Sequence, residues 1–444
     1  MGPMLENLIL QSINAYKTWE FTSRSVRKKL LEDWVIHLAE EKDSLSQCIT
    51  DEVAKPITLA HAEVQRSLLL IQSTIEAFAE FNSESVVVDL LPGGLEARGY
   101  LKPFALGPVL VITPFNFPVN LAIHKLAPAL AAGNSILWKP CPQAPRTSQL
   151  LLATLQRALR KSDLSLDLVQ IVQTSPEETE ALAIHPDIKA VSFTGSERVG
   201  QHLRKILWDK KVTLELGGNA AVVVDAAVDT RAVATQLALS ANSYAGQSCC
   251  SAQRIYIHQN VYDDFCKLFT EEVKKLPAGD PNSPKTIIGP VIDEDNAKRI
   301  ETWISKAIQS GAQCLLGGPR EGSFIPPHIL TNVPPSLEIC TEEVFGPVVI
   351  LQSVGSFTEG LEKAQLTRYG LRSSVYTNSI QGLYLAEKSL RVGGVMINLP
   401  PTYRVDSAPF GGVGASGVGL EGPKWALDFF SEKRLIAYAP PPKS

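Results

Sequence analysis

Cysteine is sparse in this chain and follows no pattern. The seven residues (Cys48, Cys141, Cys249, Cys250, Cys266, Cys314 and Cys340) are odd in number, form no CxxC, and are not spaced from a histidine as zinc ligands would be. A disulfide framework and a metal site are therefore not expected, and a reducing compartment fits best. A charge excess is lacking too. Lys plus Arg total 42 against 46 Asp plus Glu, for a formal net charge of −4, and no block of like charges stands out. Neither nucleic acid nor a membrane surface is indicated as a partner. Long apolar runs are also missing: prolines and asparagines interrupt the longest, Val109 to Ile123, and the MGPMLENLIL start has no basic region ahead of an apolar core. The expectation is a cytoplasmic protein with neither signal peptide nor membrane span.

What is present is ordinary globular composition, 45% hydrophobic and 20% charged over 444 residues, enough for two or more domains. Apolar residues at three-and-four spacing predict helices from about Ser23 to Phe81. LPGGLEARGYLKPF, Leu91 to Phe104, then reads as a hairpin. From Val109 to Leu216 short apolar strands (VLVIT, SILWK, LVQIV, AVSFT, VTLEL) alternate with helical segments, the mark of a parallel sheet flanked by helices. After Gly217-Gly218 a second such series contains RIYIH, PVVILQ, SSVYT and GVMIN. The tail, KRLIAYAPPPKS, suits a short strand and a proline-rich end.

Chemistry-bearing residues fall at the strand ends, where ligands of such sheets sit. GQSCCSAQR presents Cys249 and Cys250 just before RIYIH. A lone thiol is often a small core hydrophobe, and a nucleophilic one needs a route to its thiolate from an ordinary pKa of about 8.5. No histidine stands in a setting that marks it as the base; His258 follows a strand and reads as structural. Glu215, in VTLELGGN, ends an apolar strand. There it is either a general base whose pKa burial has raised or a surface carboxylate at a strand terminus. AVSFTGSERVG sets Gly195, Ser196 and Gly200 between strand and helix, suited to a phosphate or to a plain helix cap, and it is neither a P-loop nor GxGxxG. TPFNFP braces Asn116 between two prolines, either as an oxyanion donor or simply as a rigid turn.

Taken in order, DEVAKPI, TPFNFP, HKLAPALAAGN, WKP, FTGSERVG, LELGGN, GQSCCSAQR, EEVFGPV, TRYGL and PFGGVGASGVG resemble the aldehyde dehydrogenase superfamily over nearly the whole chain. The resemblance implies an α/β fold with a Rossmann-like coenzyme domain (1–90 and 106–217, with 412–430 returning to it), a catalytic domain (218–411) and a small β oligomerisation arm (91–105 and 431–444). It implies Cys249 as nucleophile, Glu215 as general base, and Asn116 with the Cys249 N–H as oxyanion donors. For NAD or NADP it implies Thr113 near the nicotinamide, Lys139 at the adenosine ribose, Gly195, Ser196 and Gly200 beside the diphosphate, and Glu343 and Phe345 at the nicotinamide ribose and ring. A homodimer or homotetramer acting on a small-molecule aldehyde, with no metal, follows from the same resemblance.

Three departures stand out. Phe115 replaces a usual Trp, and Gly414 replaces a frequent Lys. Pro142 stands three residues after Lys139, where NAD-preferring members commonly carry Glu; without that carboxylate NADP is expected to be tolerated or preferred. NLPPTYRVDSAPFGG resembles a branch acting on small hydroxy- or phospho-aldehydes, in which Arg404 would receive an anion with Ser248 and Cys250 beside the substrate; against this, Ser248 stands where some phosphoaldehyde enzymes carry Arg, and Arg404 is equally suited to a structural ion pair. Two alternatives remain at this stage. A coenzyme A-acylating enzyme is disfavoured by Glu215, and a non-catalytic scaffold by the retention of both Cys249 and Glu215.

Overall fold

The aliphatic runs VLVI, ILWK and AVSFT are buried along almost their whole length, which suits strands covered on both faces. In the computed structural model, which describes residues 2–90 and 96–441, they form the middle of a six-stranded sheet. Its order is Gly417–Val418, Lys211–Glu215, Ala190–Thr194, Val109–Ile112, Ile136–Lys139, Val169–Ile171. All pairs are parallel except the one made by Gly417–Val418. The chain steps outward from Val109–Ile112 through Ile136–Lys139 to Val169–Ile171, then returns to Ala190–Thr194 on the other side of its starting strand. The order thus reverses at Val109–Ile112, and a crevice opens where Thr113 to Phe117 and Gly195-Ser196 leave the carboxyl ends.

The helix Asn120–Ala132 is buried on every side, as its nearly all-apolar sequence requires. It lies beneath the helix Ile57–Glu80, and the two share one core with Trp19, Trp34 and Trp138. Helices Pro3–Trp19, Arg24–Glu40 and Lys42–Val53 complete this layer. The first of these starts well before the expected helical stretch: it buries Leu5, Ile9, Ala15 and Trp19 at helical spacing against the sheet, a pattern thinned in sequence by intervening polar residues.

The second series forms a seven-stranded sheet in the order Gln313–Leu316, His328–Thr331, Val348–Val354, Ala252–His258, Ala220–Val224, Arg372–Tyr376, Gly394–Ile397. Only Gln313–Leu316 runs antiparallel. Three of these strands are absent from the sequence reading. Ala220–Val224 follows the Gly217-Gly218 turn so closely that it merges with LELGG, while Gln313–Leu316 and His328–Thr331 are only four residues long.

A third, antiparallel sheet pairs Glu84–Val86 with Arg98–Ala105, and that strand with Ser431–Tyr438 in register from Ala105↔Ser431 to Arg98↔Tyr438. The turn expected around Leu91 to Leu95 lies outside the described residues, as do the last three residues of the tail. No helix among the described residues is long and apolar enough to cross a membrane.

Candidate active site

The carboxyl end of Lys211–Glu215 meets the amino ends of Ala220–Val224 and Ala252–His258, so Glu215 and the Cys249-Cys250 pair approach one another from different sheets. Both line a cavity of about 290 Å³ together with Asn116, Ser248, Glu343, Phe345 and Arg404. Of the residues named from sequence, Gly195 and Ser196 also line it.

Backbone strain places the cysteine loop. Tyr244, Ala245 and Gly246 adopt φ of 53°, 52° and 68° in succession, and each non-glycine residue in that region costs about 1 kcal/mol or more. Burial offsets the strain: Tyr244 is sealed in the core and donates its hydroxyl to the Val53 carbonyl at 3.1 Å. Only glycine fits at 246, because a Cβ there would stand 2.3 Å from the Gly346 carbonyl oxygen. Gln247 then locks the turn, accepting from the Ile292 N–H at 2.8 Å.

Asn116 is buried and donates one amide hydrogen to the Gln247 carbonyl at 3.2 Å, which leaves its second hydrogen for a ligand. The Cys249 N–H has no acceptor among the described residues. Two donors are thus free beside the Cys249 sulfur. The Cys249 and Cys250 sulfurs lie 3.8 Å apart. Cys250 is buried against Leu371 and Phe410 and also lines the cavity. A hydrogen bond from Cys249 favours its thiolate, as do Arg372 and Arg404, and together these outweigh burial. Cys249 is held protonated by that same bond and by burial. The pair holds a proton that either sulfur can carry.

Glu215 is 2% exposed, and neither carboxylate oxygen has a hydrogen-bond partner among the described residues. Burial first, and the charge of Glu421 second, push its pKa well above the carboxylate range. It is a buried carboxyl, which settles the choice against a surface strand end. Glu421 is charged despite burial because Lys125 pairs with it; Lys125 also donates to Ser192 Oγ at 3.0 Å. Lys125 and Glu421 escaped the sequence reading, since a Lys in HKLAPALAAGN and a Glu in GVGLEG look like surface charges. The ionisable pair His124-Lys125 inside an otherwise mostly apolar helix was the available signal.

Glu343 accepts from the Gly218 N–H at 2.8 Å, and burial pushes it up to about 7. Phe345, at φ 51°, packs edge-on against Phe115 with ring centroids 5.9 Å apart, so the phenylalanine that replaces the usual Trp still supports this wall. Lys139 lies apart, in a cavity of about 380 Å³ lined by Pro142 and Thr174 and by no acidic side chain. Two of the expected cofactor positions do not line the substrate cavity. The Thr113 hydroxyl is buried and accepts from Trp138 Nε1 at 3.0 Å. Gly200 packs beneath Leu216, where a Cβ would come within 2.1 Å of its side chain, so it sets how closely helix Glu197–Ile206 approaches the sheet. That helix has no side-chain cap on its first N–H groups. This open helix start beside the substrate cavity, with Lys139 free of any ion pair among the described residues in a cavity that no acidic side chain lines, fits a dinucleotide phosphate.

At the far wall Arg404 stacks over Phe410, 4.0 Å from the ring centroid, and ion-pairs with Asp406 at 3.3 Å. Arg66, missed from sequence, also lines the cavity and binds Asp406 through two hydrogen bonds of 2.7 and 3.0 Å. Burial opposes the Asp406 charge, but His124 and Arg66 outweigh it and hold the carboxyl below its usual range. Two guanidinium groups therefore share one carboxylate.

A thiol pair, a buried carboxyl, a free amide donor and an aromatic wall thus meet around one cavity. The chain belongs to the aldehyde dehydrogenase family, whose model matches residues 5–436, and it is an NAD(P)-dependent aldehyde dehydrogenase. It is 37% identical to a 3-sulfolactaldehyde dehydrogenase of Priestia aryabhattai over 400 residues, 90% of this chain and 83% of that protein. It is 34% identical to a lactaldehyde dehydrogenase of Methanococcus maripaludis, covering 93% and 88% of the two chains. Among solved structures it superposes on a glyceraldehyde-3-phosphate dehydrogenase of Methanocaldococcus jannaschii complexed with NADP, with a TM-score of 0.94 and 31% identity over 98% and 94% of the chains. Aldehyde dehydrogenase 21 of Physcomitrella patens, complexed with its product succinate, matches with a TM-score of 0.93 and 34% identity over 98% and 90%.

Proposed function

We propose that the enzyme converts a small aldehyde bearing an anionic or hydroxyl group into the free acid: RCHO, NAD(P)⁺ and water give RCOO⁻, NAD(P)H and two protons. The observation that carries this is the meeting of Cys249, Asn116 and Glu215 on one cavity. Cys250 accepts the Cys249 proton across the 3.8 Å contact, and the Cys249 thiolate adds to the carbonyl carbon. The Asn116 amide and the Cys249 N–H stabilise the oxyanion, a type of donor worth about 3 kcal/mol of barrier. When bound, the nicotinamide supplies the hydride acceptor. Cys249 then holds the acyl group as a thioester, and Glu215 takes a proton from the attacking water, a contribution of roughly 10² to 10⁴ in rate. Lys125 and Glu421 set the basicity of Glu215.

For the substrate, Arg404 and Arg66 carry one positive charge beyond what Asp406 neutralises. They meet a sulfonate, phosphate or carboxylate at the end of the substrate opposite the aldehyde. Sulfolactaldehyde and glyceraldehyde 3-phosphate, named for relatives above, fit that description, and the succinate product of another keeps such an anionic end. For the cofactor, the acid-free wall around Lys139 and Pro142 favours NADP. Thr113 and Gly200 support the cofactor site by packing. The six-stranded sheet with its helices serves as the coenzyme domain, the seven-stranded sheet as the catalytic domain, and the three-stranded sheet as an arm. The half-exposed edge strand Gly394–Ile397 offers such an arm of a second copy a pairing edge, so the enzyme is a homo-oligomer. A cytoplasmic site of action suits its free thiols. An aldehyde panel assayed with both cofactors by nicotinamide absorbance tests this reading. Anionic aldehydes with NADP should give the highest kcat/KM, and equal turnover of long uncharged aldehydes contradicts it.

A further inference from the structure

Behind the cysteine pair lies a second cavity, of about 210 Å³, that shares no lining residue with the substrate cavity. Three arginines, Arg368, Arg372 and Arg391, line it, and no acidic side chain does. Arg368 is committed elsewhere: it binds Glu197 and Glu342. Arg372 has no acidic or carbonyl partner among the described residues. It is 9% exposed, its Nε is sealed from solvent with no acceptor, and its Nη1 reaches only the Met396 sulfur, at 3.8 Å. Neither Arg372 nor Arg391 has an ion-pair partner among the described residues. A guanidinium cannot shed its charge at any ordinary pH, so a buried one without a counter-ion is a costly arrangement that a bound anion relieves.

We propose that this cavity is a second anion site, in which Arg372 and Arg391 take a tetrahedral oxyanion, phosphate or sulfate, free or carried on a small molecule, and that its occupancy is felt at the catalytic cysteines. The connection is short. The Arg372 guanidinium lies over the Phe410 ring, 4.8 Å from its centroid, and Phe410 packs against Cys250 and Leu371. Arg404 stacks on the same ring and lines the substrate cavity. Arg372 is also one of the charges that favour the Cys250 thiolate. An oxyanion paired with Arg372 cancels that support, so Cys250 accepts the Cys249 proton less readily and Cys249 becomes less nucleophilic. The site therefore restrains the enzyme when the anion is abundant.

The test uses the full chain saturated with NADP, so that the cofactor's own phosphate subsites are filled. Binding of inorganic phosphate and of glycerol 2-phosphate is measured by calorimetry, and iodoacetamide alkylation of the active-site thiols is followed with and without each anion. The expected result is one phosphate site that persists in Arg404→Gln, weakens about tenfold in the exposed-residue variant Arg391→Gln and is lost in Arg372→Gln. Alkylation should slow several-fold on phosphate addition in the wild-type chain and in Arg404→Gln, but not in Arg372→Gln. Tighter binding of glycerol 2-phosphate than of phosphate identifies an organic phosphate as the natural ligand, and the reverse identifies the free ion. Phosphate binding lost in Arg404→Gln but kept in Arg372→Gln assigns the anion to the substrate cavity and overturns the proposal. So does no phosphate binding at all, the result expected if an acidic side chain of a second copy fills the cavity. Arg391→Gln keeps the test open if Arg372→Gln fails to fold: unaltered affinity in that variant also contradicts it.

Discussion

Glu421→Gln separates the role of the buried ion pair from that of the base it faces. In the wild-type chain Glu215 must lose its proton beside a charged Glu421, in a site where its own oxygens have no hydrogen-bond partner among the described residues. Two like charges at a separation of ~5 to 6 Å, in an effective dielectric of about 20, repel by about 3 kcal/mol. At about 1.4 kcal/mol per tenfold change, that corresponds to roughly two pH units in the ionisation of the base. Replacing Glu421 by the isosteric amide removes this repulsion and leaves Lys125 without its counter-ion; whichever way Lys125 then titrates, the carboxylate form of Glu215 becomes easier to hold. The acidic limb of kcat, measured with saturating aldehyde under conditions where deacylation limits turnover, should move toward lower pH by about one to two units. The plateau should fall, because a weaker base accepts the water proton less readily. An unmoved limb, or one displaced toward alkaline pH, would refute the coupling between Glu421 and Glu215.

Arg404→Gln should raise KM for anionic aldehydes at least tenfold, an amount ordinary for a lost charge-assisted contact, while leaving a small uncharged aldehyde within about threefold; equal losses for both would make Arg404 purely structural. Arg368 ties Glu197, at the start of the helix beside Gly195 and Ser196, to Glu342, the neighbour of Glu343. Arg368→Met should therefore raise cofactor KM several-fold with kcat within about twofold, and normal cofactor KM in that variant counts against the clamp. Cys250→Ser removes the proton acceptor. Alkylation of Cys249 should then need higher pH than in wild type, and a profile displaced toward acid contradicts the shared-proton route. Pro142→Glu places a carboxylate near Lys139 and should shift preference from NADP toward NAD by tenfold or more, read as the ratio of kcat/KM; an unchanged ratio would remove Pro142 from the account.

The alternation of strands and helices made the parallel strands of the first sheet and four strands of the second legible, because VLVI and AVSFT are apolar and RIYIH is β-branched and aromatic. Glu215 and Asn116 stand at strand ends and Cys249 just before a strand, the family resemblance singled the three out, and the structure brings all three to one cavity. Residues whose role depends on a distant partner were not legible. Arg66 meets Asp406 across 340 positions, and Lys125 meets Glu421 across 296. In each case the sequence displays a single charge that would be solvated if it stood alone. Thr113 and Gly200 sit in the expected motifs, but Thr113 is hydrogen-bonded to Trp138, Gly200 packs beneath Leu216, and neither lines the substrate cavity. The strained Tyr244-Ala245 turn left no signal, since neither residue favours positive φ and only the surrounding core imposes it.

The central claim is that Cys249 carries the acyl group and Glu215 releases it. Rapid mixing of Glu215→Gln with NADP and an anionic aldehyde tests it most directly, with acid-quenched protein mass measured in parallel. The account predicts one equivalent of reduced cofactor per site in a burst, then a stall, with the acyl adduct on the peptide containing Cys249 and no burst in Cys249→Ala. Sustained turnover by Glu215→Gln, or a burst that survives Cys249→Ala and is lost in Cys250→Ala, would contradict it.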